Sequence, residues 1–189
     1  MVFTTLLGYF LLVSFFYMEG RLRRGAEAKS YEAGQFDRRT TRYLGYAYFV
    51  SVVALLAAWV LNAFQVGRLP QWVGWLGILI ALAGLFMRTW ASRALGAFYT
   101  RTLKVAEGQT IIRKGPYRLI RHPGYLGMIL TWVGVAAATL NWIVLLVVLV
   151  VIVLAYHYRI QNEEEMLLST LPGYAEYRSG TWRLIPLIY

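Results

Sequence analysis

Five apolar stretches separated by polar or basic joints make up most of this 189-residue chain. They are Val2–Met18, Leu44–Val66, Trp72–Met87 (extendable to Leu95), Tyr125–Leu140 and Trp142–Tyr158. A hydrocarbon core about 30 Å thick is crossed by roughly 17–25 helical residues. Inside it, only segments that satisfy their own backbone hydrogen bonds persist. The pattern predicts an all-α polytopic membrane protein of about five transmembrane helices, forming one domain over 1–189. Composition agrees: 59% of residues are hydrophobic and 15% charged, against about 45–50% and about 25% in a typical soluble domain. The last two stretches meet at Asn141, a residue suited to a tight turn. Each is short for a full crossing, so the tip of their hairpin can end inside the bilayer. The first stretch has neither a basic region before it nor a small-residue cleavage site after it, so it reads as a retained helix.

Charge orients the chain. Arg21 to Arg42 holds seven Lys and Arg, Arg88 to Arg121 holds eight, and the tail holds Arg159, Arg178 and Arg183. If all five stretches cross, these regions share one side, and the other side has only Arg68. By the positive-inside bias this predicts an N-terminus outside and a cytoplasmic C-terminus. The same bias explains the net charge of +10 through topology and anionic head groups rather than nucleic acid. With no cysteine, disulfides, thiolate zinc sites and cysteine nucleophiles are excluded, and two histidines make a poor zinc site. No phosphate loop or Gly-x-Gly-x-x-Gly follows a strand, which excludes a soluble Rossmann enzyme. No pattern specifies an oligomeric state.

The unusual chemistry lies in two clusters on the predicted cytoplasmic side. The first runs from Gly115 through Pro116, Tyr117, Arg121, His122, Pro123, Gly124 and Tyr125 to Gly127. Gly-Pro and His-Pro-Gly break helices, and the turn feeds the fourth apolar stretch, whose first backbone N–H groups can meet a ligand. Tyr117 and Tyr125 can stack on a ring or a cation. A plain membrane-entry loop accounts for the same residues: Arg for orientation, Tyr for the interfacial belt and Pro for the helix start. The second cluster is Tyr156 to Glu165. On a continuing helix Arg159 and Glu163 are four apart and share a face, with Tyr156 one turn earlier. Three adjacent carboxylates, Glu163, Glu164 and Glu165, call for a positive partner. The plain alternative is an exposed helix end with an Arg–Glu pair, and for His157 interfacial packing.

Together the clusters resemble a known family. Gly115-Pro116-Tyr117 with Arg121-His122-Pro123-x-Tyr125-x-Gly127 is similar to the Arg-His-Pro-x-Tyr signature of the isoprenylcysteine carboxyl methyltransferases. Arg159, Glu163, Glu164 and Leu167 resemble that family's Arg-x-x-x-Glu-Glu-x-x-Leu segment. Leu171, Tyr174 and Tyr177, then Trp182-Arg183-Leu184-Ile185-Pro186, resemble its closing stretch. The likeness covers about residues 95–189. It departs at Pro172-Gly173, where relatives commonly carry an aromatic-glycine turn. Phospholipid N-methyltransferases have a similar layout. Membrane sterol reductases share the His-Pro-x-Tyr turn, so an NADPH-dependent sterol- or enone-type reductase is the alternative.

The resemblance implies a membrane methyltransferase using S-adenosyl-L-methionine on a lipophilic or prenylated acceptor, most simply a prenylcysteine-type carboxylate, among membrane lipid. Carried over by motif, the cofactor contacts fall on Gln109, Thr110, Ile111, Ile112, Tyr117, His122, Pro123, Gly124, Tyr125 and Glu163. The substrate-contacting and catalytic arginine falls on Arg159. No metal is implied. A carboxylate is ionised at pH 7, so methylating it needs no general base and catalysis reduces to alignment.

Overall fold

In the computed structural model the apolar stretches are helices whose ends are set by local polar chemistry. The structure describes residues 2–22, 37–99, 103 and 108–189. Of the basic loops, residues 23–36 (with Arg23, Arg24 and Lys29) and 100–102 and 104–107 (with Arg101 and Lys104) lie outside the described residues. The helices are α1 (Val2–Leu22), α2 (Thr40–Ala63), α3 (Gln71–Leu95), α4 (Pro123–Ala138), α5 (Trp142–Thr170) and the short α6 (Tyr174–Ser179). Two 3-10 turns, Gly96–Phe98 and Gly115–Arg118, lie between α3 and α4. Among the described residues there is no β-strand, only the isolated bridges Arg68–Asn141 and Ile120–Trp182.

Among the described residues four helices, α1, α2, α3 and α5, are long and apolar enough to cross a membrane. Helix α4 is shorter, 16 residues, or about 24 Å at 1.5 Å per residue. Helix α2 starts at Thr40, ahead of the apolar run, because Asp37 accepts hydrogen bonds from Thr40 Oγ1, Thr41 N and Thr41 Oγ1. Helix α4 starts at Pro123, whose fixed φ and missing N–H suit a first helical position. Helix α5 continues well past Tyr158 to Thr170.

The helices alternate in direction. At one end Thr5 Oγ1 donates to Ala138 O, and Asn62 Nδ2 donates to Thr139 O. The centre of this end is Asn141, 0% exposed. Its Oδ1 caps Ile143 N and Val144 N, and its Nδ2 donates to Asn62 Oδ1 and Val66 O. At the opposite end Arg88 of α3 pairs with Glu19 of α1, and Arg159 of α5 bonds Thr40 of α2 and Tyr125, on which His122 before α4 stacks.

Helices α3 and α4 form the tightest seam. A Cβ on Gly84 would lie 2.5 Å from Thr131 N, and one on Gly134 would overlap Ala81 N and Gly77 O. Small residues let membrane helices approach this closely, where packing rather than the hydrophobic effect drives association. The seam fixes α4 against Arg88, whose backbone N would be 2.7 Å from a Cβ on Gly127.

Candidate functional site

The polar end of the bundle opens into a cleft of about 1100 Å³ of non-protein space, open solvent at its mouth included. Its floor, toward the apolar spans, is Leu44 and Tyr48 of α2 and Tyr156 of α5. Tyr48 and Tyr156 share a hydrogen bond of 2.5 Å between their hydroxyls, and Tyr48 stacks on the buried Trp132 at 5.2 Å and 15°. One flank is apolar: Leu103, Met166, Leu167, Leu171, Tyr174 and Tyr177 pack together with Ile111 against them. Burial holds the Tyr117 and Tyr174 hydroxyls well above the usual phenol range and pushes Tyr177 up to about 12 despite the pull of Arg121 and Arg113. All three are neutral hydrogen-bonding groups at pH 7.

The residues singled out from sequence converge here. Gln109, Thr110, Ile111, Ile112, Tyr117, His122, Gly124, Tyr125, Arg159 and Glu163 all line the cleft. Pro123 is buried in the first turn of α4 and is not part of the lining. Arg159 is 4% exposed and held from behind: Nε donates to Tyr125 OH at 2.9 Å, and Nη1 donates to Thr40 Oγ1 and Thr41 Oγ1 at 3.2 Å each. Asp37, which caps α2, is 3.8 Å away. Tyr125 is sandwiched between His122, stacked at 5.5 Å and 5°, and Tyr156 at 5.0 Å. Glu163 Oε2 is 3.7 Å from His122 Nδ1. That oxygen and the Tyr174 hydroxyl are buried with no hydrogen-bond partner among the described residues.

Sequence reasoning placed Glu164 in the motif and called for a positive partner, but gave it no role in the site. Neighbours on a helix point about 100° apart, so Glu163 faces the cleft while Glu164 lies behind its lining, 2% exposed. Glu164 accepts from Arg121 Nε at 2.8 Å and Arg183 Nε at 3.0 Å, and its Oε1 is 3.2 Å from His122 Nε2. It lies beyond the apolar part of α5. Burial pushes its carboxyl up, but the hydrogen bonds and charges of His122 and Arg121 outweigh that and hold it at about 2. The tail completes the support: Trp182 O and Arg183 O accept the backbone N–H groups of Arg121 and His122 at 2.7 and 3.1 Å. Glu165, third of the run, is exposed and pairs with Arg38 at 2.8 Å.

A second buried pair lies on the α3 wall. Arg88 donates from Nε and Nη2 to Glu19 of α1, Tyr99 OH donates to the same carboxylate at 2.9 Å, and the Arg88 guanidinium lies 4.8 Å over the Tyr99 ring. Partners 69 residues apart leave no local signal in the sequence.

A sequence model of the isoprenylcysteine carboxyl methyltransferase (ICMT) family matches residues 75–169. The cobalt-zinc-cadmium resistance protein CzcN of Cupriavidus metallidurans is 32% identical over 114 residues, covering 60% of this chain and 48% of that protein. Protein-S-isoprenylcysteine O-methyltransferase of Saccharomyces cerevisiae is 28% identical over 116 residues, with the same two coverages of 60% and 48%. The chain spans about half the length of these curated relatives. The solved eukaryotic intramembrane Ras methyltransferase ICMT shares the fold at a TM-score of 0.60 and 20% identity, over 79% of this chain and 53% of that one. These matches give the sterol-reductase alternative no support. A family pattern that covers half of the chain, on a fold shared with a solved member, places this multi-pass membrane protein in the isoprenylcysteine carboxyl methyltransferase family.

Proposed function

We propose that this chain is a membrane-embedded methyltransferase that takes a methyl group from S-adenosylmethionine and esterifies a lipophilic carboxylate, a prenylcysteine-type α-carboxyl above all. One observation carries the reading. The cleft at the polar end of the bundle joins a rigidly braced cation, Arg159, to a buried carboxylate oxygen, Glu163 Oε2, that has no hydrogen-bond partner among the described residues. A buried unpaired acceptor costs about 1–3 kcal/mol, and a bound ammonium or ribose hydroxyl would remove that cost. Tyr174 OH offers a second such group. The residues present therefore fit the cofactor. Gln109, Thr110, Ile111, Ile112, Tyr117, His122, Gly124 and Tyr125 would hold it with Glu163, and Pro123 would act only by starting the helix behind them. When bound, it supplies a methyl group activated on a sulfonium.

Arg159 would orient the acceptor. Its guanidinium plane is fixed by Tyr125, Thr40 and Thr41, and a planar fork is the geometry that aims a carboxylate. The carboxylate arrives ionised, so no side chain needs to take a proton. Leu44, Tyr48 and Tyr156 line the cleft on the side of the apolar spans, the side on which an isoprenoid chain is soluble and the polar cofactor is not. The orientation belongs to the same proposal: the basic cleft end faces the cytoplasm, and the Asn141 end faces the opposite compartment.

Calorimetry of the purified chain with S-adenosylmethionine, S-adenosylhomocysteine and NADPH tests the cofactor. Labelled methyl transfer to S-farnesylcysteine, with its methyl ester as blank, tests the acceptor. Binding of the two adenosyl compounds and labelling of the free acid alone are expected. Binding of NADPH in place of the adenosyl compounds would overturn the reading.

A further inference from the structure

Residues 182–189 fold back along the outside of α5. Leu184 N and Ile185 N both donate to Tyr189 O at 2.9 Å, and Tyr189 N donates to Ile185 O at 3.0 Å. The Tyr189 hydroxyl accepts from Arg183 at 2.9 Å and lies 3.0 Å from His157 Nδ1. His157 follows Val150 and Leu154 at i+7 and i+3, so the three share one face of α5. Val150 and Leu154 are exposed, Leu154 at 63%, on a helix apolar enough to cross a membrane. The returning segment therefore meets α5 on its outward stripe, at the level where the apolar run ends.

At that level the segment presents apolar side chains outward. Leu187 is 84% and Ile188 78% exposed, with Ile185 and Trp182 exposed beside them. Trp182 N donates to the carbonyl of Leu119, itself exposed and next to the exposed Arg118. A contiguous exposed apolar patch marks an interaction surface. Here the exposed apolar residues follow the outward apolar stripe of α5 and have Arg118 next to Leu119, a combination that suits the boundary between acyl chains and anionic head groups.

We propose that Trp182–Tyr189 is an interfacial membrane anchor. Leu187 and Ile188 insert at the acyl boundary of the bilayer, and Trp182 and Leu119 lie at head-group depth beside Arg118. The anchor holds the site indirectly, because Trp182 O and Arg183 O carry the backbone of Arg121 and His122. It does not depend on which reaction the cleft performs.

The chain has no cysteine, so Leu187→Cys, Ile188→Cys and, as a water-facing control, Glu176→Cys can each carry one environment-sensitive fluorophore. The full chain is reconstituted in phosphatidylcholine–phosphatidylserine vesicles containing lipids brominated near the head group. Labels at 187 and 188 should emit to the blue of the label at 176, lose most of their emission to the brominated lipids and resist aqueous iodide. Leu187 has φ 69, so the Ile188→Cys result stands by itself if the first variant misfolds. Iodide quenching at 188 equal to that at 176 overturns the anchor. Shielding from iodide without quenching by bromine also overturns it, since another protein surface would then cover the patch.

Discussion

The Nε of Arg159 donates to the hydroxyl of Tyr125 at 2.9 Å, which ties the catalytic candidate on α5 to the helix-start turn 34 residues earlier. Arg159→Ala should leave affinity for S-adenosylhomocysteine in place and lower turnover by about 100-fold or more, the scale of a lost preorganised contact of about 2.7–4 kcal/mol. Arg159→Lys should rescue poorly, because a point charge lacks the planar fork. Parallel calorimetry and methyl-transfer assays check this, and equal, mild effects on both would reduce Arg159 to a structural tie.

Glu163→Gln should fail in the other way. Loss of a charge-assisted hydrogen bond of about 1.5–3 kcal/mol corresponds to about 10- to 100-fold weaker cofactor binding. Turnover at saturating cofactor should fall less than the affinity does. Unchanged titration curves would remove Glu163 from the cofactor site.

Glu164 should matter for stability. Replacing it by Gln leaves Arg121 and Arg183 without their shared counter-charge, a change of about 3–5 kcal/mol for a buried pair. Its carboxyl is held at about 2, below the ordinary carboxylate range: burial pushes it up, and the hydrogen bonds from His122 and Arg121 outweigh that. A depressed pKa stabilises the fold above the unfolded value, so this contribution is complete above about pH 5 and is lost as pH falls from there toward 2. Thermal unfolding in detergent from pH 7 to pH 3 should show a steeper loss for the native chain than for Glu164→Gln.

The α3–α4 seam makes a steric prediction. Gly84→Val or Gly134→Val forces Cβ atoms into backbone on the facing helix, and folded protein should be lost. Gly45→Ala, with nothing within 4 Å, should be neutral or stabilise by up to about 1 kcal/mol. Monodispersity on size exclusion separates the two classes, and a well-folded Gly134→Val protein would mean the seam is looser than described.

Reporter fusions after residue 30 and after residue 105 should both read cytoplasmic. An opposite reading at either site would refute the orientation proposed from the basic loops.

The bundle was largely legible in the sequence because hydropathy reports solvent directly: every apolar stretch is a helix. Helix ends were less so. Thr40 begins α2 because of Asp37, and Arg159–Thr170 extend α5 with polar residues that a hydropathy reading cannot count. The cleft was legible through local motifs, which gathered Tyr117, His122, Tyr125, Arg159 and Glu163. What stayed hidden depends on long-range pairing. Glu164 differs from Glu163 only in which wall it faces, and Arg88 acquires its place through Glu19, two helices earlier. Gly77, Gly84, Gly127 and Gly134 show a spacing of seven within each helix, but nothing in that spacing says that the two rows face each other.

The buried Asn141 joint pins α5 to the α2–α3 connection at the end far from the cleft. Arg159 lies 18 residues along the same helix, about 27 Å from that pin. The bundle is thus a pair of tongs with its rivet at one pole and its jaws at the other, and lever arithmetic applies. A tilt of about 2° at the rivet moves the guanidinium by about 1 Å, a misplacement that can cost about 100-fold in rate. Polar residues that never approach a ligand therefore set the aim of the jaws.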